Sequence, residues 1–275
     1  MTDLAIATPA ARAPGPDLWS LQGRRVLVTG ATQGLGLAIA QTLASLGAQL
    51  LVSDRSAEAC ARVVAALDAD PATAPHPGQA GALALPADLL DPAQVDRLGQ
   101  AAAGVDVLVC NAGIQGPAGP LAQAGDADWD AVLQLNLRAA AGLCQRLIPA
   151  MADRGEGSVV LMSSIAGLRG NRHIGLYGLS KAALAQLARN LAVEWGPRGV
   201  RVNSISPGLI RTPLAEPLLQ DAGFMARRMQ ATPLRRAGEP HEVATVVALL
   251  AGRAGGFITG QNLVVDGGTL ISDGS

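Results

Sequence analysis

Short apolar runs alternate along this chain with longer Ala- and Leu-rich stretches of helical period. Several of the short runs are unbroken, as in Val26-Leu27-Val28 and Val105-Asp106-Val107-Leu108-Val109. Unbroken runs fit strands buried on both faces of a parallel sheet, whereas a half-exposed strand alternates apolar with polar. Strands are expected over Arg25–Thr29, Gln49–Ser53, Ala82–Pro86, Val105–Cys110, Gly157–Ser163, Val200–Ser206 and Asn262–Val265. Helices are expected over Leu35–Leu46, Ser56–Leu67, Pro92–Ala103, Ala127–Ala152, Leu176–Trp195 and Pro240–Leu250. Regular strand–helix alternation predicts an α/β class protein. Its core is a doubly wound parallel sheet of about seven strands, in one domain over residues 21–275, with ligands at the carboxyl ends of the strands.

Three stretches break the pattern. Residues 1–20, rich in Ala and Pro at the start, read as a flexible leader; no basic start followed by a continuous apolar run marks a signal peptide. Residues 70–81 read as a surface loop. Residues 207–239 are too long for an ordinary connection and are expected to form a substrate lid.

Composition narrows the function. Of the 275 residues, 49% are apolar, so a large core is available. The net charge of −1 comes without a basic stripe and aromatics are 2%, which argues against nucleic acid and anionic membrane surfaces as partners. No apolar run is long enough to span a membrane. Cys60, Cys110 and Cys144 lie far apart in no metal-like spacing and read as small buried hydrophobes of a reducing compartment, so a cytoplasmic location is expected. His76, His173 and His241 are equally scattered, and no metal is expected.

Two local patterns carry chemistry. Thr29-Gly30-Ala31-Thr32-Gln33-Gly34-Leu35-Gly36 follows the first strand and opens the first helix. Glycines there allow a tight turn and close backbone approach to a pyrophosphate, with the helix N-terminus supplying N–H donors. A glycine turn alone is a weak signal, but Asp54 closes the next strand, where a carboxylate can hold both hydroxyls of an adenosine ribose. The second pattern is Tyr177, the only tyrosine, with Lys181 four residues on. On a helix the two share a face. A nearby cation favours the phenolate, so Lys181 is expected to lower the phenol's pKa toward useful acid–base work.

With these motifs in order, residues 21 to 268 resemble the short-chain dehydrogenase/reductase family, which implies a Rossmann-type fold. The matching motifs are the glycine turn Thr29–Gly36, Asp88 in Ala87-Asp88-Leu89, Asn111-Ala112-Gly113, Asn136 in Leu135-Asn136-Leu137, Ser164, Tyr177-x-x-x-Lys181, and Pro207-Gly208-Leu209-Ile210-Arg211-Thr212. The resemblance implies a catalytic set of Asn136, Ser164, Tyr177 and Lys181. The family's serine stands thirteen residues before its tyrosine, which selects Ser164 over Ser163; Ser163 and Ser180 are left as structural. The resemblance also implies that Gly30, Thr32, Gln33, Gly34, Leu35, Gly36, Asp54, Arg55, Asp88, Leu89, Asn111, Ala112, Gly113, Tyr177, Lys181, Pro207, Gly208, Ile210 and Thr212 form the cofactor site. By the same resemblance Asn136 helps hold a water linking Lys181 to solvent.

The activity implied is hydride transfer between NAD(H) and a small-molecule secondary alcohol or ketone. Asp54 disfavours a 2′-phosphate, and Arg55 is the complication. The alternatives are an NADP-dependent 3-oxoacyl-[acyl-carrier-protein] reductase, which shares every catalytic motif, and a nucleotide-sensing protein without turnover. The substrate pocket is expected from Ile114, Gln115, Leu168, His173, Leu209 and Leu214. Arg169, Arg172 and His173 near its mouth have two readings, recognition of an anionic substrate and, with more weight, solvated loop charge. Relatives commonly assemble through the long helices and the last strand, so a homotetramer is expected.

Overall fold

The computed structural model describes residues 18–75 and 78–272. The leader lies outside the described residues as far as residue 17, as does His76. Seven parallel strands form one sheet in the order β3-β2-β1-β4-β5-β6-β7. They are β1 (Arg25–Thr29), β2 (Gln49–Ser53), β3 (Leu83–Ala84), β4 (Val107–Cys110), β5 (Gly157–Met162), β6 (Val200–Pro207) and β7 (Asn262–Val265). The chain winds outward from β1 through β2 to β3, then returns to β4 on the other side of β1 and winds out to β7. The carboxyl ends of β1 and β4 are therefore the switch point, where departing loops diverge and leave a crevice.

The unbroken apolar runs have a direct structural cause. Val26 and Val28 of β1, Val107 and Val109 of β4, and Val160 and Met162 of β5 enter one core with α1 (Gly34–Ser45), α2 (Ala57–Ala69) and α9 (Pro240–Ala251). Leu27, Leu108 and Leu161 enter the other, with α3 (Pro92–Ala101), α5 (Ala139–Asp153) and α6 (Gly175–Trp195). Each face is apolar because each is covered. The edge strand β3 is shorter than the expected 82–86, and both of its residues are exposed. Val105 lies ahead of β4, in a turn in which its N–H donates to the Ala102 carbonyl.

The helix expected over Ala127–Ala152 is interrupted. It consists of α4 (Asp126–Leu133), a π-helical turn over Gln134–Arg138, and α5. Such single-turn bulges are local insertions that rotate a side chain off the regular helical face. Here the rotated face carries Asn136, which is buried.

The segment 207–239 contains more order than its composition suggested. It holds a 3-10 turn over Pro213–Ala215, α7 (Glu216–Leu219) and α8 (Ala222–Gln230). Asp221 caps α8 by accepting from the Phe224 N–H at 2.9 Å. The segment is cinched at its neck, where Arg211 N–H donates to the Gly238 carbonyl and Gly238 N–H to the Leu209 carbonyl, both at 2.9 Å.

Candidate active site

The glycine turn is held open by a neighbouring strand. Asn111, at the end of β4, donates its side-chain amide to the Thr29 and Gly30 carbonyls at 3.0 and 3.1 Å. The Thr29 hydroxyl accepts from the backbone N–H of Asn111 and Ala112, both at 3.1 Å. At Gly36 a Cβ would lie 2.0 Å from the Gly30 carbonyl oxygen and 2.5 Å from the Asn111 amide nitrogen. No side chain fits there. Gly30 and Gly34 have φ of +63° and +53°, which side chains rarely adopt. The N-terminus of α1 has no side-chain cap and no acidic residue in its first turn. Its N–H groups are thus left for an anion, and the cradle fits the pyrophosphate of a dinucleotide.

Asp54 ends β2 with its carboxylate already oriented. It accepts from the Thr32 hydroxyl at 2.6 Å and from the Arg55 N–H at 2.7 Å. Each oxygen keeps a lone pair for another donor. The Arg55 side chain is exposed. Asp88 accepts from the Leu90 N–H at 2.9 Å, while Asp91 caps α3. Leu89 turns its side chain into the core, so only its backbone faces outward chemistry, and its carbonyl accepts from Gln134 at 3.2 Å.

Ser164, Tyr177, Lys181 and Asn136 converge beyond β4 and β5. Ser164 leaves β5 and starts a 3-10 turn over Ile165–Gly167, its hydroxyl accepting from Ala166 N–H at 3.1 Å. That turn packs on α6 so closely that a Cβ at Gly167 would lie 2.6 Å from the Ala182 nitrogen. A Cβ at Gly178 would lie 2.7 Å from the Ala166 carbonyl oxygen. This contact sets Ser164 beside Tyr177. Ser163, the rejected neighbour, points the other way and donates to the Lys181 carbonyl at 2.7 Å.

Asn136 is the hub. Its carbonyl accepts from Ile114 N–H at 2.8 Å, and its amide donates to the Ile114 carbonyl and to the Ser180 hydroxyl, both at 2.9 Å. Ser180 in turn donates to the Tyr177 carbonyl at 2.8 Å. Ser180 is therefore structural in a specific sense, joining Asn136 to α6. Gly113 sits over both polar groups; a Cβ there would lie 3.0 Å from Asn136 Oδ1 and 3.2 Å from Lys181 Nζ.

The electrostatics depart from the simple helical-pair expectation. Burial raises the Tyr177 phenol's pKa, and the Ser164 hydroxyl pulls partly back. Burial also lowers Lys181 from 10.5 to about 8. The lysine does not lower the phenol because it is aimed elsewhere: its Nζ donates to the Met162 carbonyl at 2.8 Å and stands 5.5 Å from the ring centroid. In the protein alone, desolvation wins over charge pairing and pushes both groups toward neutrality.

In the 207–239 segment, Pro207 and Ile210 are buried and Thr212 is partly buried. A Cβ at Gly34 would meet Pro213 at 3.2 Å and Thr212 at 3.5 Å, so the 3-10 turn over Pro213–Ala215 lies on the glycine turn. Of the expected pocket residues, Leu168 and Leu214 are exposed, at 41% and 59%. His173 is exposed too, and its carbonyl accepts from Gly119 N–H at 2.8 Å. Ile114, Gln115 and Leu209 are partly buried.

Comparison with known proteins gives the family. A family model described as enoyl-(acyl carrier protein) reductase matches residues 30–269. A curated relative, dehydrogenase/reductase SDR family member 4 of Sus scrofa, is 36% identical over 90% of this chain and 88% of its own. The chain belongs to the short-chain dehydrogenase/reductase family. Among solved members of the family, one from Mycobacterium ulcerans is 33% identical with a TM-score of 0.86, covering 92% of each chain. A gluconate 5-dehydrogenase from Burkholderia cenocepacia, solved with NADP and tartrate, is 30% identical with a TM-score of 0.85, covering 93% of this chain and 98% of that one. The family accounts for an oxidoreductase built around a nicotinamide cofactor. Among the described residues no helix is long and apolar enough to cross a membrane.

The lowered Lys181 value has a thermodynamic consequence. Between about pH 8 and the unfolded lysine's value near ~10.4, the unfolded chain holds a proton that the folded chain has released, so this group makes stability rise with pH. Below that window both states are protonated and its contribution is flat. Lys181→Met should lack the rise. Urea midpoints taken from about pH 7 to about pH 10 should show the wild type gaining on the variant by on the order of 2 kcal/mol. A difference that does not move with pH would mean that the ammonium is not desolvated.

Proposed function

We propose that the protein interconverts secondary alcohols and ketones by hydride transfer with NAD(H), using Tyr177 as the general acid and base. The observation that carries this reading is the convergence of Ser164, Tyr177, Lys181 and Asn136 beside a glycine turn that fits a pyrophosphate. When bound, the nicotinamide gives or takes the hydride. Tyr177 gives its proton to the carbonyl oxygen on reduction and removes the hydroxyl proton on oxidation. The Ser164 hydroxyl donates to the same oxygen and stabilises the charge that develops there. Lys181 would hold the nicotinamide ribose and supply positive charge, and Asn136 keeps the 111–114 loop registered on the catalytic helix. Pro207, Gly208, Ile210 and Thr212 would line the nicotinamide, Asp54 the adenosine ribose, and Asp88 the adenine.

Tyr177→Phe should keep the fold and dinucleotide affinity while cutting turnover by ~10²–10⁴-fold, the usual cost of losing a placed acid–base group. Retention of more than about a tenth of the wild-type rate would assign the proton transfer to another residue.

Cofactor choice follows from Asp54. A 2′-phosphate would remove a hydroxyl donor and set its charge against a carboxylate that Thr32 and Arg55 N–H hold in place. That repulsion supports a preference for NAD of order ~10²-fold. Comparing kcat/KM for the two cofactors on one ketone tests it. Parity, or a preference for NADP, would show that the exposed Arg55 guanidinium outweighs Asp54, as a bidentate phosphate contact can.

We read residues 207–239 as a lid hinged at Leu209, Arg211 and Gly238. Saturating dinucleotide should slow hydrogen exchange across 211–237, and an unchanged pattern would count against a lid. We also read the protein as a homotetramer. Val193 of α6, Val264 of the edge strand β7, Phe257 and Ile271 are all exposed, and apolar side chains on an edge strand and a long helix suit two-fold contacts between copies. A monomer mass by light scattering at micromolar concentration would overturn the tetramer.

A further inference from the structure

One turn, 266–269 after β7, meets the 207–239 segment near both of its ends. At the near end, Gly208 N–H donates to the Val265 carbonyl at 2.9 Å, and a Cβ at Gly208 would lie 2.7 Å from Asp266 Cβ. At the far end, Leu234 N–H donates to the Gly267 carbonyl at 3.1 Å. A Cβ at Gly268 would lie 2.7 Å from the Pro233 ring, and one at Gly267 would lie 3.0 Å from the Thr232 methyl. The Asp266 carboxylate keeps the turn in shape by accepting from Gly268 N–H at 2.8 Å and Leu270 N–H at 2.7 Å. Between the two attachments, no residue of α7 or α8 is buried. Arg228 of α8 lies over Phe224 of the same helix, 5.3 Å from the ring centroid.

The contact that fastens the end of α8 is a pair of hydroxyls. Thr232 and Thr269 are 2% and 3% exposed, and their hydroxyl oxygens lie 2.8 Å apart. Each hydroxyl also reaches a carbonyl of its own segment. Thr232 donates to the Arg228 carbonyl and Thr269 to the Asp266 carbonyl, both at 2.8 Å. A hydroxyl carries one proton, so two protons serve three contacts. The bond between the hydroxyls forms only while one of the two carbonyls goes without. Separating the segments therefore strands neither donor, because each proton returns to its own carbonyl. An unpaired polar group is what makes a buried hydrogen bond hard to break, and here none is left. Pro233 and Leu234 are exposed, so water replaces the Leu234 bond on release.

We propose that the Thr232–Thr269 pair is a latch that holds α8 on the turn which also seats Gly208, and that it opens to let the dinucleotide exchange. The proposal rests on reading 207–239 as a lid and on hydride transfer with a dinucleotide. Thr232 and Thr269 are positioning residues in it, acting on the cofactor through α8 and residues 207–212.

The test compares the wild type with Thr232→Val, Thr269→Val, the double variant, and Thr269→Ser, which keeps the hydroxyl. Without dinucleotide, hydrogen exchange across 222–234 should quicken by ~3-fold or more in each Val variant. The KM for NADH in ketone reduction should rise by ~3–10-fold, the worth of one net hydrogen bond, while kcat stays within about twofold of the wild type. The double variant should match the worse single one, because both substitutions remove the same bond. Thr269→Ser should restore wild-type behaviour. Unchanged exchange in the Val variants, penalties that add in the double variant, or a lowered urea midpoint with KM unmoved would each overturn the latch. If one Val variant does not fold, the other breaks the same pair from the opposite side. The wild type gives an independent reading: exchange of the Leu234 amide should not respond to low urea, the mark of a local opening. Exchange as urea-sensitive as that of the β6 amides would overturn the latch. Failure of the underlying reading looks different. Neither NADH nor NADPH would then bind the wild type in calorimetry, although the Val variants still freed 222–234. That result overturns the latch's part in dinucleotide exchange and supports only its hold on α8.

Discussion

The close approach of α6 to the turn after β5 is the constraint from which the rest of the site follows. Backbone meets backbone at Gly167 and Gly178, where a single added Cβ would fall within 2.6 to 2.7 Å of a main-chain atom. Because neither position can yield, Ser164 on the turn and Tyr177 on the helix cannot drift apart. The same helix carries Lys181 into the core and Ser180 toward Asn136. The Ser163 hydroxyl, bonded to the Lys181 carbonyl, adds a polar tie across the seam. Close packing of this kind transmits rigidity, so one contact places three functional groups at once.

Asn136 extends that order to the cofactor side. Its three bonds reach both sides of the Ile114 peptide and the Ser180 hydroxyl, and no residue on a regular helical face could make them all. The π-helical turn is the local cost of aiming it. Through Ile114 the hub fixes the loop whose other end, Asn111, holds the glycine turn. The glycine turn and Tyr177 are therefore parts of one hydrogen-bonded frame. A change at Asn136 should be felt at both.

Much of this was legible in the chain. The seven strands stand near their expected places, and β1, β2, β4 and β5 carry unbroken apolar runs because a doubly covered sheet has no polar face to interrupt them. The glycine turn and the Tyr-x-x-x-Lys pair were readable because steric exclusion and helical spacing are local rules. What escaped were features set by tertiary contact. The bulge at Gln134–Arg138 leaves the surrounding apolar period nearly intact, so the pattern reads as one helix. The order in the 207–239 segment was missed because α7 and α8 are short, although Asp221 ahead of Phe224 is an N-cap signal that could have exposed α8. The sign of the Tyr177 shift also escaped, since spacing tells that two groups are near but not where an ammonium points or how dry its surroundings are.

The end of the sheet and the 207–239 segment differ in a way that explains this difference in legibility. Catalytic geometry is written in glycines and in residues with fixed partners, where almost any substitution meets backbone or leaves a buried polar group unpaired. On α8 and the loop before α6 side chains are partly or fully exposed and backbone demands are weak. Arg228 belongs to that second class. Nothing in its immediate sequence distinguishes it from Arg227, which lies exposed beside it. Only the fastening of Thr232 to Thr269 and the ring of Phe224 turn one of two adjacent arginines into a held, partly desolvated charge. The family is thus legible in local motifs, whereas which surface cations are held in place is decided by tertiary contacts that no local rule reveals.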